Sequence, residues 1–257
     1  MRVDLTFDLH GRIAIITGAS RLAGIGAATA RAFAAAGADI AFTHWTSYDR
    51  ELYGTETSEP EQLANELRDA GVRVAAIEMD LSAPDVATRL LDEVESHLGP
   101  ATILVNNAAV SINDSFETID AAGLDRHYAV NVRATAMLSA EFARRFTGES
   151  GRIINLTSGQ GLHPMPDALS YATTKGAIEA FTTSLSAGVA AKGITVNAID
   201  PGATDTGWMD DNLKSAITSE MAFGRVGLPT DAARLIVFLA SDAGRWITGQ
   251  IIRSRGA

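Results

Sequence analysis

The sequence predicts an α/β protein: one doubly wound parallel sheet of about seven strands, with helices on both faces. Three observations carry this. Apolar runs rich in β-branched residues alternate with helix-patterned segments along the whole chain, and that alternation implies right-handed crossovers between parallel strands. The strand runs, "IAII" and "ILV" among them, are continuous rather than alternating, so both faces of the sheet are covered. The 257 residues show no internal repeat, low-complexity tract or linker, and read as a single domain, 1–257, with one large core.

The elements follow in order. "RIAIIT" (12–17) is the first strand, and "GIGAATARAFAAAG" is a helix ending at Gly37. "DIAFTH" is the second strand. The polar stretch "HWTSYDRELYGTETS" (44–58) reads as a long surface loop. Ser58 and Glu61 form a capping box for "EPEQLANELRDA", which Gly71 stops. "VRVAAIEMD" is the third strand, and Ser82 with Pro84 starts a helix running to about His97. "ATILVNN" is the fourth strand, followed by a long helical stretch from about Asp120 to Phe146. "GRIINLTS" is the fifth strand, Leu169 to Lys192 is helical, and "GITVNAID" is the sixth strand. An irregular segment from Gly202 to about Arg225 precedes the helix "TDAARLIVFLASD" and the short last strand "GQIIR". Segments 44–58 and 202–225 both follow strands, where ligands bind in such sheets. The second is expected to be the substrate loop.

A formal net charge of -10 argues against a nucleic-acid backbone or an anionic membrane as partner. It leaves room for a phosphate ligand held by backbone N–H groups and one or two arginines. There is no cysteine, hence no disulfide, thiol nucleophile or zinc-thiolate site. The opening "MRVDLTFDLHGR" reads as neither signal peptide nor anchor, and no run nears the ~20 apolar residues of a membrane span. Cytoplasm is the expected location. His44, His97, His127 and His163 lack metal-ligand spacing and read as surface or loop residues, so no metal is expected.

"TGASRLAGIG" (17–26) joins the first strand to its helix, the place where a pyrophosphate binds in such sheets. Gly18 can take the positive φ of a tight turn, and Gly24, Ile25 and Gly26 open a helix whose N–H groups attract phosphate. A glycine-rich turn without a ligand is the plain alternative. Tyr171 and Lys175, four apart on a predicted helix, share a face.

In combination these stretches resemble the classical short-chain dehydrogenases/reductases, with a 3-oxoacyl-carrier-protein-reductase-like pattern. The match runs through "TGASR…GIG", "MDL" (79–81), "NNAA" (106–109), Asn131 in "YAVNVRA", "IINLTS" (153–158), "YATTK" (171–175), "NAIDPGATDT" (197–206) and "GRVGLPTDAARLIVFLASD…ITGQ" (224–250). The resemblance implies a Rossmann-like fold and a hydride exchange between a nicotinamide cofactor and a ketone or secondary alcohol. By the same resemblance Tyr171 passes a proton to or from the substrate oxygen, Ser158 holds that oxygen, Lys175 binds the nicotinamide ribose, and Asn131 holds a water leading from Lys175 to solvent. A cation ~6 Å from the phenol, at an effective dielectric of ~20, lowers its pKa by roughly two units, about 2.8 kcal/mol. Cofactor binding is implied for Gly18, Ser20, Arg21, Gly24, Ile25, Gly26, His44, Asp80, Leu81, Asn106, Asn107, Ala108, Tyr171, Lys175, Pro201, Gly202, Thr204 and Thr206. Asp80 would accept from the adenine amino group, or else serve only as a turn residue. The chain departs from the family pattern in the two extra loop residues Leu22 and Ala23, in Ala109, and in the tail "RSRGA".

An acid ~20 residues past the loop binds the ribose 2′-OH of NAD, but that count lands on His44. Arg21, with Arg50 as a further candidate, suits a 2′-phosphate. NADP is therefore the expected cofactor, with NAD kept open by Asp49. Leu162, Met165, Trp208 and Met209 are the expected apolar lining, and His163 is a further candidate for touching substrate. A ketone or secondary alcohol of modest size is the leading substrate, and a 3-oxoacyl thioester the alternative, with Arg144–Arg145 as a carrier-docking patch. An enoyl reductase and a non-catalytic nucleotide-binding homologue are the rival classes. The long helices around 120–146 and 169–192 imply, by family resemblance, a homotetramer, or a dimer.

Overall fold

The computed structural model describes residues 7–53 and 58–256. Seven strands, β1 (Ile13–Ile16), β2 (Asp39–His44), β3 (Val74–Glu78), β4 (Ile103–Asn106), β5 (Gly151–Leu156), β6 (Ile194–Asp200) and β7 (Ile251–Arg253), form one sheet in the order β3-β2-β1-β4-β5-β6-β7. Every pairing is parallel. The expected doubly wound sheet is therefore present, with β1 beside β4 at the reversal of strand order. Ligands bind outside the carboxyl ends of the strands at such a reversal.

The continuous apolar strands do what two buried faces require. Ala14 and Ile16 of β1 point into one core with Phe33 and Phe42, while Ile13 and Ile15 point into the other with Leu90 and Phe142. The period of two along a strand makes this division obligatory. The helices are α1 (Ile25–Ala35), α2 (Thr46–Tyr53), α3 (Glu59–Asp69), α4 (Val86–His97), α5 (Ala121–His127), α6 (Thr135–Arg145), α7 (Leu169–Val189), α8 (Asp211–Glu220) and α9 (Pro229–Ala240). None of those described is long and apolar enough to cross a membrane.

Several local expectations are corrected. The stretch 44–58 is not all loop: it holds the end of β2 and all of α2, while its residues 54–57 lie outside the described residues. Ser58 makes no side-chain cap bond, so the capping box does not form, and Pro60 in the first turn starts α3 instead. Ser82 spends its hydroxyl on Asp80 at 2.9 Å, and the residue before α4 is Asp85. Segment 202–225 contains α8, whose N-terminus Asp210 caps by accepting from Leu213 N at 2.8 Å. The stretch 120–146 is helical as expected, from α5 through a π-helical segment over Tyr128–Ala134 into α6. Such segments cluster at functional sites, and this one turns Asn131 inward.

Candidate active site

A cavity of about 760 Å³ opens along the carboxyl ends of the strands. Gly18 follows β1, His44 ends β2, Asp80 follows β3, Asn107 follows β4, Ser158 follows β5 and Pro201 follows β6, and all six line it. Residues distant in sequence thus converge because parallel strands all present the same end.

At the glycine loop the turn off β1 has Gly18 at φ +72°, where a Cβ would lie 2.7 Å from Ala108 Cα. Only glycine fits. Gly24 is the N-cap of α1 and brings no capping side chain, so the N–H groups of the first turn are left for an anion at the positive end of the helix. Gly24 and Ile25 line the cavity. Gly26 does not: a Cβ there would lie 2.5 Å from Gly18 O and 2.8 Å from Asn107 Nδ2. Its task is to let α1 approach the loop closely, which corrects its expected direct contact with cofactor. The residues here fit a dinucleotide pyrophosphate, since Gly18, Gly24 and Ile25 line the cavity at an uncapped helix start.

Leu22 and Ala23 lie outside the cavity wall, whereas Arg21 and Gly24 on either side line it. Leu22 is tied outward. Leu22 N donates to Glu59 Oε2 at 2.6 Å, Leu22 O accepts from Arg31 Nη1 at 2.9 Å, and the Leu22 side chain packs on the core. Deleting Leu22–Ala23 is expected to leave NADPH affinity within about tenfold of wild type (~1.4 kcal/mol), with Tm lowered by the lost anchor to α3. A folded deletion variant that binds no cofactor, read by fluorescence titration, would refute the outward bulge.

Asp80, Leu81, Asn107 and Ala108, which the resemblance places at the adenosine, line the cavity. Asp80 also accepts from Ser82 N at 2.8 Å, so the turn role and the cavity position coexist. Asn106 is corrected: it is buried, donates to Ser139 Oγ at 3.0 Å and Asn155 Oδ1 at 2.8 Å, and is absent from the wall. His44 lines the wall with Nδ1 buried and unpartnered. Burial lowers its pKa, so the ring is neutral at pH 7.

Sequence counting missed α2 as a wall. Trp45, Ser47, Tyr48 and Asp49 all line the cavity. Asp49 is only 4% exposed, burial raises its pKa, and Ser20 hydrogen-bonds its carboxyl, with Arg21 nearby. The i, i+3 spacing of Trp45 and Tyr48 was the available signal of an amphipathic helix. Arg21 spans the cavity, donating to Thr206 O at 3.1 Å, and Arg50 lies outside the wall.

Ser158, Tyr171, Pro201, Gly202, Thr204 and Thr206 also line the cavity, joined by Met165 and Trp208. Thr204 Oγ1 donates to Pro201 O at 3.0 Å, closing the turn after β6. Leu162, Met209 and His163 stand outside the wall. Burial pushes the Tyr171 phenol up to about 12; Ser158 opposes this through a hydrogen bond, and the charges of Asp200 and Tyr48 add to it. Lys175 is buried, and burial brings it down to about 8. Its ammonium donates to Leu156 O at 2.8 Å and stands 5.4 Å from the Tyr171 ring centroid. The expected two-unit lowering of the phenol is therefore overturned in the free protein. The cation lies over the ring and is held by a carbonyl, so desolvation outweighs it.

Asn131 is 1% exposed and does not reach the wall. Its Oδ1 accepts from Val110 N at 2.7 Å, and its Nδ2 donates to Val110 O at 2.9 Å and Thr174 Oγ1 at 3.0 Å. It joins the π-helical segment to α7 one residue before Lys175. His127 is corrected from surface to buried: its Nε2 accepts from Ile112 N at 3.0 Å. Arg145 is bound to Asp92, Glu95 and Glu141, and Arg144 to Glu141, so the supposed carrier-docking patch is neutralised. Among the described residues no three His, Asp or Glu stand together as metal ligands.

A family model described as enoyl-(acyl carrier protein) reductase matches residues 18–256. "Uncharacterized oxidoreductase YjdA" of Bacillus subtilis (strain 168) is 49% identical over 248 residues, 95% of this chain and 96% of that protein. The solved structure of a blue fluorescent protein from a metagenomic library, in complex with NADPH, has a TM-score of 0.88 at 30% identity, over 97% of this chain and 98% of that one. The angucycline C-6 ketoreductase LanV with bound NADP has a TM-score of 0.86 at 31% identity, over 97% and 96%. With that breadth of match, and with a glycine cradle and a Ser–Tyr wall in one cavity, the chain belongs to the short-chain dehydrogenase/reductase family of NAD(P)-dependent oxidoreductases.

Proposed function

We propose that this protein is an NADP-dependent ketoreductase working between a ketone and its secondary alcohol, with Ser158, Tyr171 and Lys175 as its catalytic residues. The observation that carries this is that Ser158 and Tyr171 line the same cavity as the bare N-terminus of α1, with the buried Lys175 ammonium against the phenol ring. The nicotinamide, when bound, supplies or accepts the hydride. Ser158 orients the substrate oxygen by a hydrogen bond. Tyr171 gives its hydroxyl proton to that oxygen in reduction and takes it back in oxidation. Lys175 holds the ribose and steadies the phenolate charge. Asn131 acts from behind by holding the loop after β4, at Val110, and α7 together. The segment 202–225 closes over substrate, with Trp208 and Met165 as apolar contacts. Homologues that are ketoreductases support the reading.

A panel of ketones, alcohols, 3-oxoacyl thioesters and enoyl thioesters, followed by NADPH absorbance, tests it. Turnover of ketones but not of enoyl thioesters is expected. The description of the family model favours the enoyl reading, whereas the four-residue Tyr171–Lys175 spacing favours carbonyl chemistry. No turnover of any carbonyl or alcohol would leave only a nucleotide-binding role.

The preference for NADP rests on Asp49 and Arg21. A reader of the ribose 2′-OH needs a free carboxylate, yet Asp49 is buried and turned toward Ser20. Arg21 is a cation on the wall that interacts with Asp49. Arg21→Ala is expected to weaken NADPH roughly ten- to a hundredfold, the ~1.5–3 kcal/mol of a charge-assisted bond, and to leave NADH nearly unchanged. Equal losses for both cofactors in a fluorescence titration would reject Arg21 as the reader. The protein is further proposed to act in the cytoplasm as a homotetramer, or a dimer, through the long helices. Exposed Tyr128 and Met137, in the helical stretch 120–146, support the assembly.

A further inference from the structure

Behind the reacting end of the cavity, three segments meet at one buried ion pair. Asp200, the last residue of β6, is 2% exposed. Its Oδ2 accepts from Arg255 Nη1 at 2.9 Å, its Oδ1 accepts from Gly202 N at 2.9 Å, and its backbone carbonyl accepts from Ser254 N at 2.8 Å. Arg255 belongs to the tail "RSRGA", the stretch that departs from the family pattern. It fits against both neighbouring turns. A Cβ at Gly159 would collide with Arg255 Nη1, and a Cβ at Gly202, which has φ +68°, would lie 3.0 Å from Arg255 Cα. One residue on, Gly256 approaches Phe223 of the segment 202–225, where a Cβ would lie 3.1 Å from Phe223 Cδ2. Neither Asp200 nor Arg255 lines the cavity, but Ser158, Pro201 and Gly202 beside them do.

We propose that Asp200 and Arg255 are positioning residues, a buried clasp by which the C-terminal tail holds the Ser158–Gly159 turn and the Pro201–Gly202 turn at the spacing the substrate oxygen requires. The inference rests on the roles given to Ser158 and Tyr171 above. Three features support a clasp rather than a chance surface pair. The carboxylate is nearly sealed from water, where losing its partner is costly. Its second oxygen is already committed to the Gly202 turn. The guanidinium is packed against glycine, so a displaced Arg255 leaves a gap beside Ser158. A misplacement of about 1 Å at reacting groups can cost on the order of a hundredfold in rate.

A purely stabilising ion pair is distinguished by the pH profile. The charged and titratable groups facing the Tyr171 phenol are Asp200 from the end of β6, Tyr48 from α2 and Lys175 on its own helix, with Ser158 as hydrogen-bond partner from the end of β5. The Asp200 charge raises the phenol, and Arg255 offsets that charge. Breaking the pair from its two sides therefore moves the phenol in opposite directions. Asp200→Asn removes the negative charge and lowers the acidic limb of alcohol oxidation. Arg255→Ala leaves the carboxylate uncompensated and raises that limb. Loss of packing alone moves both the same way.

The experiment uses the full chain as wild type, Arg255→Ala, Arg255→Gln, Arg255→Lys and Asp200→Asn. It measures kcat for alcohol oxidation against pH, NADPH affinity by fluorescence, and amide hydrogen exchange over 157–162, 200–206 and 253–256. For Arg255→Ala the expected result is a kcat lowered about ten- to a hundredfold, NADPH affinity within about tenfold, and faster exchange in all three stretches. The limbs of Arg255→Ala and Asp200→Asn should shift in opposite directions. Should Arg255→Ala fail to fold, Arg255→Gln, which keeps part of the stem and removes the charge, carries the same test, while Arg255→Lys, which keeps the charge and loses the fork, carries only the kcat and exchange arms. Unchanged exchange in the two turns, or limbs that stay put or move together, overturns the clasp. Hydrogen exchange needs no turnover, so a wild type inactive on every carbonyl sinks the proposed function, while the exchange of the two turns still decides the clasp.

Discussion

Tyr171→Phe is expected to abolish turnover while leaving cofactor affinity nearly intact. The ring fills the same space in both residues, and only the hydroxyl that faces Ser158 is lost. Removing a general acid costs about 10²–10⁴-fold. Burial holds the phenol up to about 12 in the free protein, so at neutral pH it is a proton donor, as reduction requires. Oxidation needs the phenolate, so its rate should climb with pH toward the phenol's apparent pKa, and reduction should fall through the same range. Steady-state rates in both directions across pH, beside NADPH titration of the variant, check this. More than a tenth of wild-type kcat in Tyr171→Phe, on any substrate, would sink the assignment.

Lys175→Met should cost activity and spare the fold. Burial alone brings Lys175 from 10.5 to about 8, so the charged form is disfavoured in the folded protein by about 3 kcal/mol at neutral pH. The sign follows from proton counting. Between pH 8 and 10.5 the unfolded chain holds the proton and the folded chain has released it, so stability rises with pH across that window. Below pH 8 the penalty is fully present. Methionine of similar length removes it, at the loss of the bond to Leu156 O. The apoprotein variant is therefore expected to be at least as stable as wild type at pH 7, with the difference narrowing as pH rises toward 10.5. Turnover should fall by about a hundredfold or more, because the phenol and ribose lose their cation. Urea unfolding at several pH values and kcat on the best ketone measure the two effects. A variant that unfolds more easily at pH 7, or that keeps a tenth of wild-type kcat, contradicts this account.

Local pattern decided much of this protein. The strands were legible because a sheet buried on both faces demands unbroken apolar runs, and β1 obeys that at every residue. The glycine loop was legible because a tight turn into a helix start needs Gly18 and Gly24 whatever surrounds them. Tyr171 and Lys175 were legible as a pair because helix period alone puts them on one face. What tertiary structure decided was each side chain's partner across the fold. Ser58 and Glu61 have the spacing of a capping box, yet no cap bond forms. Gly26 was read as a phosphate contact and serves close packing against Gly18 and Asn107. Asp49 escaped the count from the glycine loop because α2 carries it back over the cavity. Lys175 was expected to lower Tyr171, but the carbonyl of Leu156 holds its ammonium and burial outweighs its charge. Asp200 and Arg255, 55 positions apart, carry no motif that announces a pair. Spacing along a chain determines which residues share an element and a face. Which residues meet between elements depends on strand order, and desolvation then sets the sign of their electrostatics.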